Sequence, residues 1–290
     1  MKGTIIKGIG GYYYVDVNKV VYECRARGVF RNDNIKPVVG DKVRILILDN
    51  KNKKGSIEDI LPRKNAFIRP PVANIDNIVI VISATIPKVD FMLLDKLLVI
   101  YQMEGIKPII CINKIDEGKK NGTSIHKIYD TSKFKVIMVS AKENIGVDEL
   151  ECTIKDATTI FTGQSGVGKS SIINKIIKQD MFDTGSLSKK ISRGKNTTRH
   201  VELVEIDRGG YILDSPGFSS IKMDEIDVGQ LQYYYPEFID YIPDCKFTGC
   251  SHIREVECNV RKALENGFIN AERYNRYVDI YNELLNKKKY

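Results

Sequence analysis

Three groups of residues in this chain have the types and spacing for chemistry. Gly163-Gln164-Ser165-Gly166-Val167-Gly168-Lys169-Ser170, followed by Ser171, satisfies GxxxxGK[ST], the pattern of a loop whose backbone amides wrap a polyphosphate. Its glycines let the chain turn tightly with amides inward. Lys169 reaches toward the β- and γ-phosphates, and the Ser170 hydroxyl is placed for Mg²⁺. Asn113-Lys114-Ile115-Asp116 offers a carboxylate, Asp116, that can accept two hydrogen bonds from a base with a ring N–H and an exocyclic amino group. Guanine has both and adenine neither in that geometry, so the wrong base leaves buried polar groups unpaired. Lys114 would lay its stem along the ring and Asn113 would tie this loop to the phosphate loop. Ser140-Ala141-Lys142 would supply a main-chain amide for the guanine oxygen. Cys245-x4-Cys250-x-His252-x5-Cys258 puts three thiolates and one imidazole within fourteen residues, the donor set of a closed tetrahedral zinc site. With no position open to water, such a metal is structural and stabilises a segment with little core of its own.

Two further segments complete the phosphate chemistry. Asp214-Ser215-Pro216-Gly217 follows a short apolar strand, so Asp214 can hold Mg²⁺ through water while the Gly217 amide meets the γ-phosphate. Between the phosphate loop and Asp214 runs the polar, basic stretch Ser192 to His200, in which Thr197 or Thr198 is the candidate second Mg²⁺ ligand. The position after Gly217, where Ras-like enzymes place a water-orienting glutamine, holds Phe218, so intrinsic hydrolysis is expected to be slow. The order of these parts is itself informative. Base-reading NKID comes first, then the phosphate loop, then DSPG, whereas ordinary guanine-nucleotide switches begin with the phosphate loop.

The elements that must position these residues change character along the chain. Residues 1–63 read as five short strands separated by Gly, Asn and Asp turns, a small all-β barrel of OB or SH3-like type. A Pro-rich link over 64–71 reads as a hinge. Residues 72–222 alternate apolar strands (75–83, 107–113, 135–140, 158–163) with helices (90–104, 146–156, 169–178), then a hairpin over 201–214, the signature of a mainly parallel α/β sheet. Residues 223–290 hold the Cys/His cluster and a final helix near 270–287, a mainly α zinc-binding region. The three parts make a multidomain chain.

Composition fits these assignments. A formal charge of +8, with 45 Lys and Arg spread through the chain, favours a polyanionic partner such as nucleic acid. No stretch approaches an apolar membrane span, and the six cysteines do not form a disulfide framework, so a soluble, cytoplasmic protein is expected, and it is taken to be a monomer. Tyr12, Tyr13, Tyr14 and Tyr22 with Arg25, Arg27 and Arg31 could form an RNA-binding barrel face or fill the barrel. The last helix carries Arg273, Tyr274, Arg276, Tyr277 and Tyr281; its tyrosines are expected to pack on the zinc region, with Lys287, Lys288 and Lys289 reaching phosphates.

Taken in order, NKID, SAK, GQSGVGKSS, RGKNTTRH, DSPGF and the Cys/His cluster resemble the ribosome small subunit-dependent GTPase A family, circularly permuted bacterial GTPases also called RsgA. The resemblance spans nearly the whole chain. It implies an N-terminal OB-fold barrel, a permuted GTPase domain and a C-terminal zinc domain. It also implies GTP hydrolysis with Mg²⁺, stimulated by the small ribosomal subunit during late maturation and accompanied by rRNA contact. The family usually carries a histidine just before the paired threonines, and this sequence has Asn196 there. An amide can hydrogen-bond a water but cannot act as a general base at neutral pH. The expected catalytic set is therefore Lys169, Asn196, Thr197, Thr198 and Gly217, with the alternative that GTP gates RNA binding and hydrolysis is incidental.

Overall fold

The computed structural model describes residues 1–27, 36–68, 70–178, 201–214 and 223–287. In its first part, alternation of side chains closes a small barrel. Strands β1 (Lys2–Ile9), β2 (Tyr12–Val17), β3 (Val20–Ala26), β4 (Lys42–Asp49) and β5 (Lys54–Ile60) join in the order β1-β2-β3-β5-β4, antiparallel apart from the β3–β5 pair. Along β4, Val43 and Ile45 point inward to meet Ile5, Val15, Tyr22, Cys24 and Ile57, while Arg44 and Leu46 point out. Tyr22 therefore belongs to the core. Tyr12 is half-buried under the Arg25 guanidinium, 4.6 Å from its ring centroid, and Arg31 lies outside the described residues.

The chain leaves the barrel under restraint. Arg63 donates through Nε and Nη2 to the buried carboxylate of Asp41, at 2.6 and 2.8 Å. The stretch read from sequence as a hinge holds a short hairpin, β6 (Ala66–Ile68) with β7 (Pro71–Ala73). Its Phe67 and Val72 are buried in the core of the following sheet.

That sheet is six-stranded, in the order β10 (Lys135–Met138), β9 (Lys107–Asn113), β8 (Asn77–Ser83), β11 (Ala157–Thr162), β13 (Gly210–Asp214), β12 (Val204–Glu205). All neighbours are parallel except β12 with β13. Central β8 is buried along its whole length and divides its side chains between two cores. Ile78, Ile80 and Ile82 pack toward helices α1 (Phe91–Met103) and α2 (Ile115–Tyr129). Val79 and Val81 pack toward α3 (Val147–Thr153) and α4 (Lys169–Ile177). Helix α2 is not evident from the sequence, and its composition explains why. It is largely polar, buries only Gly122, Ile125, Ile128 and Tyr129, and is interrupted by non-helical backbone at Gly118. Gly118 has to be that small, because a Cβ there would sit 2.9 Å from the Ala84 carbonyl oxygen.

The last part contains α5 (Asn259–Glu265) and α6 (Ala271–Lys287) around a core of Leu231, Tyr235, Phe238, Val260, Tyr274, Tyr277 and Ile280. It is clamped to the α/β part by charge. Arg273 of α6, 1% exposed, donates through Nη1 to Asp95 of α1 at 2.6 Å and through Nε to Glu237. Asp95 also accepts from Arg276 and from Tyr129 of α2, the latter at 2.9 Å. Rings of Tyr235, Tyr129 and Phe134 lie 4.7–5.3 Å from the Arg273 guanidinium, completing its desolvated cage. No helix among the described residues is long and apolar enough to cross a membrane.

Candidate nucleotide and metal sites

The carboxyl ends of β8, β9 and β11 face one crevice, and the loops that follow them meet there. From β11 the chain enters the phosphate loop, Gly163 to Gly168, and passes into α4 at Lys169. Gln164, Ser165 and Gly166 are exposed, while Val167 is buried as the anchor. Lys169, Ser170 and Ser171 form the half-buried first turn, where free backbone amides and the helix dipole favour an anion. Lys169 Nζ donates to the Gly163 carbonyl at 3.1 Å, spanning the loop from end to end.

From β9 the chain enters Asn113 to Asp116, and the buried Asn113 side chain joins three segments. Its Nδ2 donates to the Val167 carbonyl of the phosphate loop at 2.9 Å, and its Oδ1 accepts from the Ala141 amide at 3.2 Å. The loop after β9, the loop after β11 and the SAK turn are thus tied by one amide group. The tie also accounts for Gly168. With φ +93° and a Cβ position only 2.3 Å from Asn113 Nδ2, no side chain fits there. Lys114 acts as a strut, its Nζ donating at 2.7 Å both to Gly166 O and to Ile86 O. That second acceptor, on the loop after β8, belongs to no motif and could not be found from sequence. Asp116 is exposed in the first turn of α2, with its carboxylate in no ion pair among the described residues. Ser140 Oγ accepts from the Glu143 amide at 3.0 Å and so shapes the SAK turn. The Ala141 amide is taken by Asn113, which leaves the Lys142 amide without a partner among the described residues.

Asn196, Thr197, Thr198, Gly217 and Phe218 lie outside the described residues. Asp214 is described only as the last residue of β13, which places its backbone beside Phe161 of β11, two residues before the phosphate loop.

The second site lies in the C-terminal part. Ligand atoms of Cys245, Cys250, His252 and Cys258 all lie within 4.8 Å of one another. Individual separations are 3.6 Å from Cys245 Sγ to His252 Nδ1, 3.9 Å from Cys245 Sγ to Cys258 Sγ, and 3.3 Å from His252 Nδ1 to Cys258 Sγ. A tetrahedral ion with zinc–sulfur distances of about 2.3 Å and a zinc–nitrogen distance of about 2.0 Å requires donors roughly 3.5–3.8 Å apart, so the residues fit zinc. Burial pushes His252 down to about 4, keeping the imidazole neutral and fit to ligate, and pushes the Cys250 thiol up to about 12. A divalent ion reverses that preference for the thiol by binding the thiolate.

Residues around the cluster fix the ligands. His252 Nε2 lies 2.8 Å from Gln232 Oε1, so the proton sits on Nε2 and Nδ1 is left to a metal. Tyr274 and Tyr277 of α6 donate to the carbonyls of His252 and Ser251 at 2.6 and 2.9 Å, and Phe238 packs edge-on to the imidazole. The helix tyrosines therefore pack on the metal region, as expected, while Lys288 and Lys289 lie outside the described residues. Burial alone would raise the Glu255 carboxyl, but hydrogen bonds from Ser251 and neighbouring amides hold it down to about 2, an organiser of the ligand turn. Gln232 stands far from the ligands in sequence and Glu255 among them without a motif, so neither was legible there. Asp244 and Glu257 do not join the donor set.

Comparison with known proteins bears on both sites. A family model described as RsgA GTPase matches residues 60–224, and one described as RsgA N-terminal domain matches residues 2–57. A protein of Ruminiclostridium cellulolyticum named small ribosomal subunit biogenesis GTPase RsgA is 46% identical over 99% of this chain and 95% of its own length. One of Alkaliphilus metalliredigens with the same name is 42% identical over 100% and 99%. Among solved structures, YjeQ from Thermotoga maritima superimposes with a TM-score of 0.82 at 32% identity, covering 98% of each chain. YloQ, described as a circularly permuted GTPase, superimposes at 0.81 and 34% identity, covering 99% of this chain and 95% of its own.

Proposed function

This chain belongs to the RsgA GTPase family, and from that premise we propose that it hydrolyses GTP in response to the small ribosomal subunit, late in that subunit's maturation. It is a GTP hydrolase of small ribosomal subunit biogenesis that uses Mg²⁺ and a structural zinc ion. The observation that supports the working of the site is the Asn113 tie, which makes base reading and phosphate binding one rigid unit. In it Asp116 reads the guanine edge, Lys114 lies along the ring and the Lys142 amide meets the base oxygen. The amides from Gly163 to Gly168 hold the phosphates, with Lys169 on the β- and γ-phosphates.

Mg²⁺, when bound, neutralises charge that develops on the phosphates. Ser170, one of Thr197 or Thr198, and Asp214 through water would hold it. The Gly217 amide senses the γ-phosphate, and Asn196 orients the attacking water without accepting its proton. Functional division follows as 1–63 for RNA contact, 64–71 as the connection, 72–222 for GTP chemistry and 223–290 for the zinc region. The barrel face around Tyr12 and Arg25 meets rRNA, and the protein works as a monomer in the cytoplasm.

The test is GTP turnover with and without purified small subunits at several salt concentrations. Strong stimulation by subunits but not by free RNA is expected. Equal stimulation by free RNA would instead favour a GTP-gated RNA-binding protein. Asn196→His should raise stimulated turnover by about tenfold or more if general-base help is the missing element, and no rise would count against that role.

A further inference from the structure

The barrel and the α/β sheet are joined through backbone as well as side chains. On one side, β12 pairs with β13, Val204 opposite Ile212 and Glu205 opposite Tyr211. On the other, the Leu203 amide donates to the Ile6 carbonyl of β1 at 2.8 Å, and Glu202 bridges Lys7. Ile6 sits where the β1–β2 register shifts between Ile5 and Lys7, an irregularity that turns its carbonyl away from β2 and toward the incoming segment. Ion pairs flank the contact, Lys7 with Glu202 at 2.7 Å and Lys19 with Glu205 at 3.5 Å. At its centre Tyr211 Oη donates to Asp16 Oδ2 at 2.6 Å, and Asp16 is 7% exposed.

Tyr211 belongs to β13, the strand that ends at Asp214. Among the described residues, β13 is covered on its outer side only by β12, two residues long. A strand that short does not hold a sheet edge by itself, and such edges open locally at little free-energy cost. A charge-assisted hydroxyl–carboxylate bond from a separate closed barrel supplies the missing restraint.

We propose that the barrel sets the position of the strand end bearing Asp214, with Asp16 and Tyr211 as positioning residues for GTP hydrolysis. The inference rests on the assignment of Asp214 to the Mg²⁺ side of the site. Whatever grips the barrel is then linked to that side, and the linkage is reciprocal.

Tyr211→Phe in the full-length chain removes the hydroxyl and nothing else. Amide hydrogen exchange over residues 203–214, measured without nucleotide, should become about tenfold faster. Single-turnover GTP cleavage should fall about five- to tenfold while KM for GTP stays within about twofold, because the phosphate loop and Asn113 are untouched. Asp16→Asn keeps an acceptor for the hydroxyl but loses its charge, and should give exchange between the parent rate and that of Tyr211→Phe. Unchanged exchange in Tyr211→Phe overturns the proposal, as does faster exchange with unaltered cleavage. Asp214→Ala measured alongside separates premise from inference. Full cleavage in that variant would remove the Asp214 assignment and with it the catalytic half of the proposal, while exchange still decides whether the barrel restrains the strand.

Discussion

The nucleotide site and the zinc cluster are assembled by opposite means. Asn113 and Val167, which make the tie across the nucleotide crevice, stand 54 residues apart in sequence and are brought together by a sheet with a core on each face. The four zinc donors lie within fourteen residues, on turns with little regular structure, beside a core that includes Tyr235, Phe238, Tyr274 and Tyr277. The first site is shaped by the fold that surrounds it. In the second, the donors help to make the fold, because metal binding energy is folding energy where the unbound segment has few other restraints. The two meet at Arg273, a cation fully buried between carboxylates from both regions.

The contrast can be broken in four places. Cys258→Ala should cost the most, since a structural zinc is worth about 10 kcal/mol or more to its local fold. Zinc content should fall to background and residues 245–265 should lose exchange protection, with GDP affinity changed by less than about twofold; a parallel collapse of GDP binding would show that the regions are not separable. Asp116→Asn should lower GTP affinity by about 10³-fold and favour xanthine nucleotides, with zinc content intact. Unchanged GTP affinity would refute the base-reading assignment. Arg273→Ala leaves Glu237 buried without its cation and Asp95 with Arg276 alone, and should destabilise the whole chain by about 3 kcal/mol in urea unfolding. A loss under about 1 kcal/mol would mean the clamp contributes little. Gln232→Ala frees the His252 ring and should weaken zinc binding by about 10- to 100-fold against a competing chelator. An unaltered chelator titration would remove Gln232 from the zinc site.

Legibility in the sequence followed the same contrast. Motifs whose chemistry depends on neighbours in the chain were readable, so the phosphate loop, NKID and the zinc donors stand where their spacing placed them. Strongly apolar strands such as β8 and β9 were readable too, because full burial leaves an uninterrupted run of branched residues. Helix α2 was not, since two glycines and a polar surface hide its period. Arg273 gave no sign of burial, because a cation is buried only when partners from elsewhere surround it, here Asp95 and Glu237. Gln232, Ile86 and Asp16 likewise act through partners distant in the chain. Spacing encodes local geometry, while these contacts exist only once the sheets have packed.

The strand order β10-β9-β8-β11-β13-β12 has a consequence for how the molecule comes into being. Reading from the N-terminus, β8, β9 and β10 with α1 and α2 form a contiguous block whose parallel neighbours are already present when the ribosome has made about half the chain. The central strand of the sheet thus precedes the half that carries the GxxxxGKS loop, so on the proposed assignment a nascent chain possesses its guanine-reading loop before it has anywhere to hold a phosphate. Pulse-labelled exchange that found β11 protected before β8 would contradict that sequence of events. In the unpermuted order the phosphate loop emerges first and waits for its base reader; here the base-reading loop emerges first and waits for the phosphate loop.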